Sequence, residues 1–340
     1  MLKITKSFGA VEGQDVPLIT LSDGAVTVEL IPYGAAIRAI RVPDREGKGT
    51  DICLGYDTIE EYQRHDACFG GTIGRCANRI GGARFSIGGR EYRVTANEGD
   101  NLLHGGRTGF HQKLWAYACG ENSVVFTLYS PDGEEGFPGN LHVEVTYTLE
   151  NSTLTMDYRA VSDRDTVVNL TNHAYFNLAG HKGGPVQDHV LTVQAGHYTP
   201  AGPGNVPTGE ILPVSGTPLD LRTGAVLGER LADPFLASTR GYDHNFVLDA
   251  TDTPAAKLYC PRTGIALEMS TSLEGMQLYT AGFLTRRTGM DGATYGPVHG
   301  VCMEPQHFPD AVNHPEFPSP ILPAGEEYHQ QICCRFFTME

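Results

Sequence analysis

The chain has 340 residues, including 41 glycines and 21 prolines, and its 40 acidic against 25 basic side chains give a formal net charge of −15. That length allows two average domains, but large all-β folds run past the average as one unit, and 36.8 kDa is ample for a sizeable core. The negative charge disfavours nucleic acid and anionic membranes as partners and suits a soluble protein with a neutral substrate.

The opening Met-Leu-Lys-Ile-Thr-Lys-Ser has no apolar core of a secretory segment, and no window reaches membrane-spanning length. Eight cysteines stand at irregular spacings without a C-x-x-C pair, which reads as reduced thiols in a cytoplasmic protein. Thr58–Arg64 shows a short helical period. Arg84-Phe-Ser-Ile, Gly88-Gly89 and Arg90-Glu-Tyr-Arg-Val form a hairpin pattern, the glycine pair supplying the positive φ angles of a tight turn. Leu141, Val143, Val145, Tyr147 and Leu149 alternate with polar residues, and after Glu150-Asn-Ser the alternation resumes at Leu154, Met156, Tyr158 and Ala160. A second short helical period covers Ala225–Ala232. Lys257-Leu-Tyr-Cys and Ile265-Ala-Leu-Glu-Met flank Arg262-Thr-Gly as a third hairpin. No repeat, low-complexity run or linker divides the chain. Residues 1–340 therefore read as a single all-β domain, a large, mostly antiparallel β-sandwich with few short helices.

Side-chain alternation turns three of these stretches into a candidate site. If residues 167–178 are extended, Asn169, Thr171, His173, Tyr175 and Asn177 share one face, and Val168, Leu170, Ala174, Phe176 and Leu178 take the other. Met276–Phe283 likewise sets Gln277 with Tyr279, opposite Met276 and Leu278. Val301–Phe308 aligns Glu304 with Gln306 and Phe308. If these strands are neighbours, amides, phenols, an imidazole and a carboxylate converge on one surface, as a sugar requires.

Five motifs then occur in one order: Gly74-Arg-Cys-Ala-Asn-Arg-Ile80, Asn101-Leu-Leu-His-Gly-Gly106, Thr171-Asn-His-Ala-Tyr-Phe-Asn-Leu178, Gly241-Tyr-Asp-His-Asn-Phe246, and the tail from Glu304-Pro-Gln-His-Phe-Pro-Asp310 to Pro323-Ala-Gly-Glu-Glu-Tyr328. Together they resemble the aldose 1-epimerase (galactose mutarotase) family over nearly the whole chain. The resemblance implies a galactose mutarotase-like supersandwich, no cofactor and no metal, and interconversion of the α and β anomers of free hexoses. It puts the general base on Glu304 and the general acid on His173, with His104 beside the ring oxygen. Asn78, Arg79, Asp243 and Gln277 become substrate-positioning residues, and Tyr175 joins them from the polar face. The chain departs from the family pattern at Pro305, where threonine is common, at His111, where an acid is common, and at Ala201-Gly202.

The chemistry suits these residue types. Mutarotation removes the proton of the C1 hydroxyl and adds one to the ring oxygen. An imidazole protonates near neutrality, a carboxylate accepts a proton, and such assistance contributes about 10²–10⁴-fold per group. Arg79 is expected to favour the ionised form of Glu304, and acid and base are expected to grip opposite edges of the pyranose.

Each residue also has a plainer reading. Asp243 fits a turn cap, as short acidic side chains commonly are, Arg79 fits a buried guanidinium paired with a carboxylate, and Tyr175 fits ordinary sandwich packing. Three rivals follow: a glycoside hydrolase using Asp243 and Glu304, a hexose-6-phosphate epimerase, which needs more cations than Arg75 and Arg79, and an inert sugar-binding protein. The presence of both Glu304 and His173 favours the enzyme. Its expected partner is a small sugar, with neither nucleic acid nor membrane, in a monomer or homodimer.

Overall fold

The structure is a computed structural model that describes residues 2–64, 67–250 and 254–340. Strands dominate. A nine-stranded antiparallel sheet runs in the order Ala116–Cys119, Ser123–Ser130, Leu141–Glu150, Thr153–Ser162, Glu327–Thr338, Ile265–Thr271, Ala256–Tyr259, Val190–Val193 and Ala225–Val226. The hairpin expected at 141–160 supplies its third and fourth strands: Leu141, Val143, Val145, Tyr147 and Leu149 are buried while their neighbours are more exposed. Asn151 and Ser152 turn the corner with φ of 50° and 57°, the twist that two-residue hairpins favour. The hairpins at Arg84–Ile87 with Arg90–Arg93, and at Ala256–Tyr259 with Ile265–Thr271, also form as their patterns predict.

A five-stranded sheet carries the site. Its order is Leu212–Pro213, His197–Thr199, Asp243–Val247, Gly275–Tyr279 and Cys302–Gln306. Met276, Leu278 and Met303 project from it into the main hydrophobic cluster, where they meet Val145, Tyr158, Leu267 and Ile332 of the large sheet. Each such fully buried side chain contributes about 1.5–3 kcal/mol of transfer free energy. An N-terminal five-stranded sheet from Leu2–Val11 to Gly49–Asp51 adds Ile19, Val28 and Leu30 to the same core.

Two expectations need correction. The period at 225–232 yields the strand Ala225–Val226 and only one helical turn, Leu227–Arg230; Leu227 is pulled into the core and ends the amphipathic pattern. Residues 167–178 are not one strand. Only Thr166–Val167 and Thr171–Asn172 pair regularly, with single bridges at Asn169 and Phe176. The segment threads between other elements, and every residue from 167 to 178 is buried. Its alternation survives all the same: Val168, Leu170, Ala174, Phe176 and Leu178 all enter the main core. Thr58–Arg64 is a helix over Ile59–Arg64, started by a reciprocal cap in which Thr58 N–H donates to Glu61 Oε2 (3.1 Å) and Glu61 N–H to Thr58 Oγ1 (3.4 Å).

Candidate active site

Strand register builds the floor. Gln277 stands directly opposite Glu304 in one ladder and opposite Asn245 in the other, while Asp243 stands opposite Tyr279. All five side chains therefore emerge from the face opposite Met276, Leu278 and Met303. The 167–178 segment meets this floor at Phe176, whose N–H donates to Val301 O at 2.8 Å. His173 is fixed by its backbone: its N–H donates to Gly71 O (2.9 Å), and its carbonyl accepts from Gly70 N–H (3.0 Å).

His104 arrives on a loop. Its N–H donates to Asn78 O (3.1 Å), and Asn78 N–H donates back to its ring Nδ1 (3.2 Å). Both residues have positive φ, 52° and 60°. Gly105 is what allows the loop to sit so close, because a Cβ there would lie 1.9 Å from Gly74 O.

These elements enclose a cavity of about 320 Å³. His104, His173, Glu304 and Tyr175 line it together with Asn78, Arg79, Asp243 and Gln277. The other members of the expected polar faces lie elsewhere. Asn169 ties Ala77 O and His307 O, and Asn177 ties Gly184 O and His299 O, so both amides clamp loops. Thr171 and Gln306 are buried away from the cavity, and Phe308 packs edge-on against Phe317. Glu98, Phe283 and Arg287 also line the cavity, and sequence patterning did not single them out. Phe283 sits in a turn, Arg287 opens the two-residue strand Arg287–Thr288 and Glu98 makes a single bridge to Asn101, all too short for a period to report direction; nothing in the sequence shows that Glu98 folds back onto Arg79.

At the bottom, His173 Nε2 lies 3.7 Å from Glu304 Oε2, and the two residues are 5% and 2% exposed. The two side chains thus stand side by side, and not at the spacing of opposite edges of a pyranose. Tyr175 stacks on the His173 ring at 5.0 Å with an interplanar angle of 17°, and the His104 ring meets it edge-on at 5.3 Å. Burial pushes the Glu304 carboxyl well above the usual carboxylate range, with nearby Asp243 adding to the effect. Burial also pushes His173 down to about 3, with His111 adding to it, and takes His104 well below its ordinary value. In this cavity both shifts favour the uncharged forms, carboxylic acid and neutral imidazole, against the charged forms expected from unperturbed side chains.

Arg79 departs from expectation as well. Its Nε and Nη2 donate to the two oxygens of Glu98 at 2.6 and 2.7 Å, its charge bears on Asp243, and the Glu304 carboxyl is raised, not lowered. Asp243 accepts from Gln277 Nε2 at 2.7 Å. Its carboxyl is raised by burial, against the lowering by Arg79 and Gln277.

One ligand-type atom from each of His104, His173 and Glu304 lies within 4.8 Å of the others, a spacing that a metal could bridge. The donor chemistry does not fit. His104 Nδ1 accepts the Asn78 amide hydrogen, so its neutral ring carries the proton on Nε2 and presents a donor where a cation needs a lone pair. At Asp188, His189 and Cys260, the His189 Nε2 accepts from Leu178 N–H (3.0 Å) and its Nδ1 faces Asp188 Oδ1 (3.1 Å), so both ring nitrogens are engaged.

The family model described as aldose 1-epimerase matches residues 17–333. The chain belongs to the aldose 1-epimerase family. It is 42% identical to galactose mutarotase of Mus musculus over 99% of both chains, and 42% identical to that of Homo sapiens over 95% of both. The crystal structure of an aldose epimerase homologue from C. elegans superposes with a TM-score of 0.89 at 30% identity, covering 96% of this chain and 100% of that one. The all-β sandwich of the aldose 1-epimerases is thus the fold seen here.

Proposed function

We propose that this chain interconverts the α and β anomers of free hexoses such as D-galactose and D-glucose, with Glu304 and His173 moving the protons. The observation that carries the reading is their 3.7 Å separation on a cavity floor rich in hydroxyl partners. The C1 hydroxyl and the ring oxygen are bonded to the same carbon, so a base and an acid placed side by side address both at once.

In ring opening, Glu304 takes the proton of the C1 hydroxyl. The electrons of that O–H bond form the carbonyl, the C1–ring oxygen bond breaks, and His173 protonates the departing oxygen. The aldehyde turns about C1–C2. Closure reverses both transfers onto the other face. Hydroxyl groups of the bound sugar donating to Glu304 offset its lost hydration and shift the shared proton toward His173. The open-chain stage leaves protonated Glu304 beside neutral His173, the state that burial already favours. The cavity is thereby matched to the intermediate and not only to the sugar.

The remaining roles follow from the contacts. His104 Nε2–H is the donor for the ring-oxygen region, and Asn78, Arg79, Asp243 and Gln277 hold the other hydroxyls. Tyr175 orients His173 by stacking. Arg75 is not placed for a 6-phosphate: it is buried outside the cavity lining and donates to Pro138 O, Gly139 O and Ser130, while Arg79 gives Nε and Nη2 to Glu98. No described helix is long and apolar enough to cross a membrane. A cytosolic monomer or homodimer is the setting we propose.

The test is the polarimetric decay of freshly dissolved α-D-galactose and α-D-glucose, with and without purified protein. Acceleration over buffer is expected for at least one of them. No acceleration with any aldose would leave a non-catalytic sugar-binding protein as the better account.

A further inference from the structure

The wall of the cavity beside the acid–base pair carries three charges in sequence: Glu98, Arg79 and Asp243. Arg79 is 11% exposed at its side chain and Glu98 39%, so the guanidinium lies deeper than the carboxylate that grips it. The grip is side-on. Glu98 takes Nε and Nη2 at 2.6 and 2.7 Å, and Asn78 Oδ1 pins the Arg79 backbone by accepting its N–H at 2.9 Å. A guanidinium held by one edge keeps further N–H groups, and Arg79 lines the same cavity as Asp243. Asp243 accepts at one oxygen, Oδ1, from Gln277 Nε2.

An unrestrained arginine next to a buried carboxylate has an obvious alternative partner. Two-point pairing with Asp243 would satisfy both charges, and it would also consume the groups that a sugar needs. We propose that Glu98 is a positioning residue that holds Arg79 off Asp243, keeping the remaining N–H groups of the one and the carboxylate of the other open to sugar hydroxyls. The proposal rests on the mutarotase reading of the site. Glu98 touches no reacting atom in it. Arg79 and Asp243 line the same cavity, and the Arg79 charge acts to lower the Asp243 carboxyl.

Two readouts test it, galactose affinity by isothermal titration calorimetry and steady-state turnover, for Glu98→Ala, Asp243→Asn and the double variant, with melting temperatures as a check on folding. Loss of one such charge-assisted restraint is expected to weaken galactose binding roughly tenfold in Glu98→Ala, with kcat changing far less than KM. Glu98→Gln, which keeps the shape and one acceptor, should recover part of the affinity. In the Asp243→Asn background Arg79 has no carboxylate to collapse onto, so removing Glu98 should cost no more than about twofold further. A purely structural Glu98 would impose the same penalty in both backgrounds. That result, or unchanged affinity in Glu98→Ala, would overturn the proposal. Failure of the mutarotase reading looks different, because the wild-type protein would then show no turnover of any aldose.

Discussion

His173 Nε2 lies 3.7 Å from Glu304 Oε2, and neither side chain has other than a marginal share of solvent. Two titratable groups so close and so dry do not titrate independently. Burial raises the carboxyl and lowers the imidazole, so both shifts widen the pH span over which the pair holds one transferable proton, which is what the proposed chemistry needs.

The first consequence concerns pH. Loss of activity on the acid side requires protonating His173 while Glu304 keeps its proton, and burial has moved His173 down to about 3. Loss on the alkaline side requires stripping the proton from Glu304, which burial has moved up. The enzyme-dependent part of kcat/KM for galactose, after subtraction of the buffer rate, should therefore be flat across neutrality. A narrow bell confined between the ordinary values of a carboxylate and an imidazole would contradict this.

A second consequence concerns stability. The folded pKa of Glu304 is raised above its unfolded value, so the folded chain holds a proton that the unfolded chain has released. Stability thus falls as pH rises from the usual carboxylate range toward the folded value, by at most about 1.4 kcal/mol per pH unit. Glu304→Gln removes that dependence. The variant should melt higher than wild type at pH 8, with the gap closing toward pH 4.5, as thermal scans across pH would show. A variant less stable than wild type at pH 8 would mean that the carboxylate is stabilised in the fold.

Gly105 predicts a local failure. It has φ +86°, and a Cβ there would lie 1.9 Å from Gly74 O. Gly105→Ala must displace the loop that seats His104 against Asn78. Backbone strain alone costs on the order of 1–2 kcal/mol. Turnover should fall by at least tenfold with the sandwich still folded, measured by activity beside far-ultraviolet circular dichroism.

Arg75 predicts a negative result. Its guanidinium is engaged with the carbonyls of Pro138 and Gly139 and with Ser130, and it stacks over Phe137 at 5.7 Å. Galactose 6-phosphate should therefore be epimerised more slowly than galactose at equal concentration, and Arg75→Met should lower the melting temperature without changing that ratio. A preference for the phosphate would show that the cation is available after all.

The legible and illegible parts of this protein divide by backbone regularity. Gln277, Tyr279 and Glu304 sit on strands whose period-2 alternation fixes direction, so the apolar neighbours Met276, Leu278 and Met303 reveal which way they point. The same logic works for His173 and Tyr175 even though their segment is mostly not a strand, because Ala174 and Phe176 must enter the core. It fails for Asn169 and Asn177, since a buried amide facing away from the core clamps loops as readily as it binds a sugar. Asp243 and Arg79 were reached through motif resemblance, and their true partners, Gln277 and Glu98, depend on strand order and loop path. The protonation states were illegible for a further reason. Residue type gives the ordinary pKa of Glu304 and His173, whereas burial raises the one and lowers the other.

The most direct measurement is exchange between the two anomeric protons of galactose at equilibrium, followed by two-dimensional NMR with wild-type protein, Glu304→Gln and His173→Asn. The account predicts α–β exchange cross-peaks with wild type, and their loss in both variants, by about 10²–10⁴-fold in rate. Cross-peaks of wild-type intensity in either folded variant would contradict it.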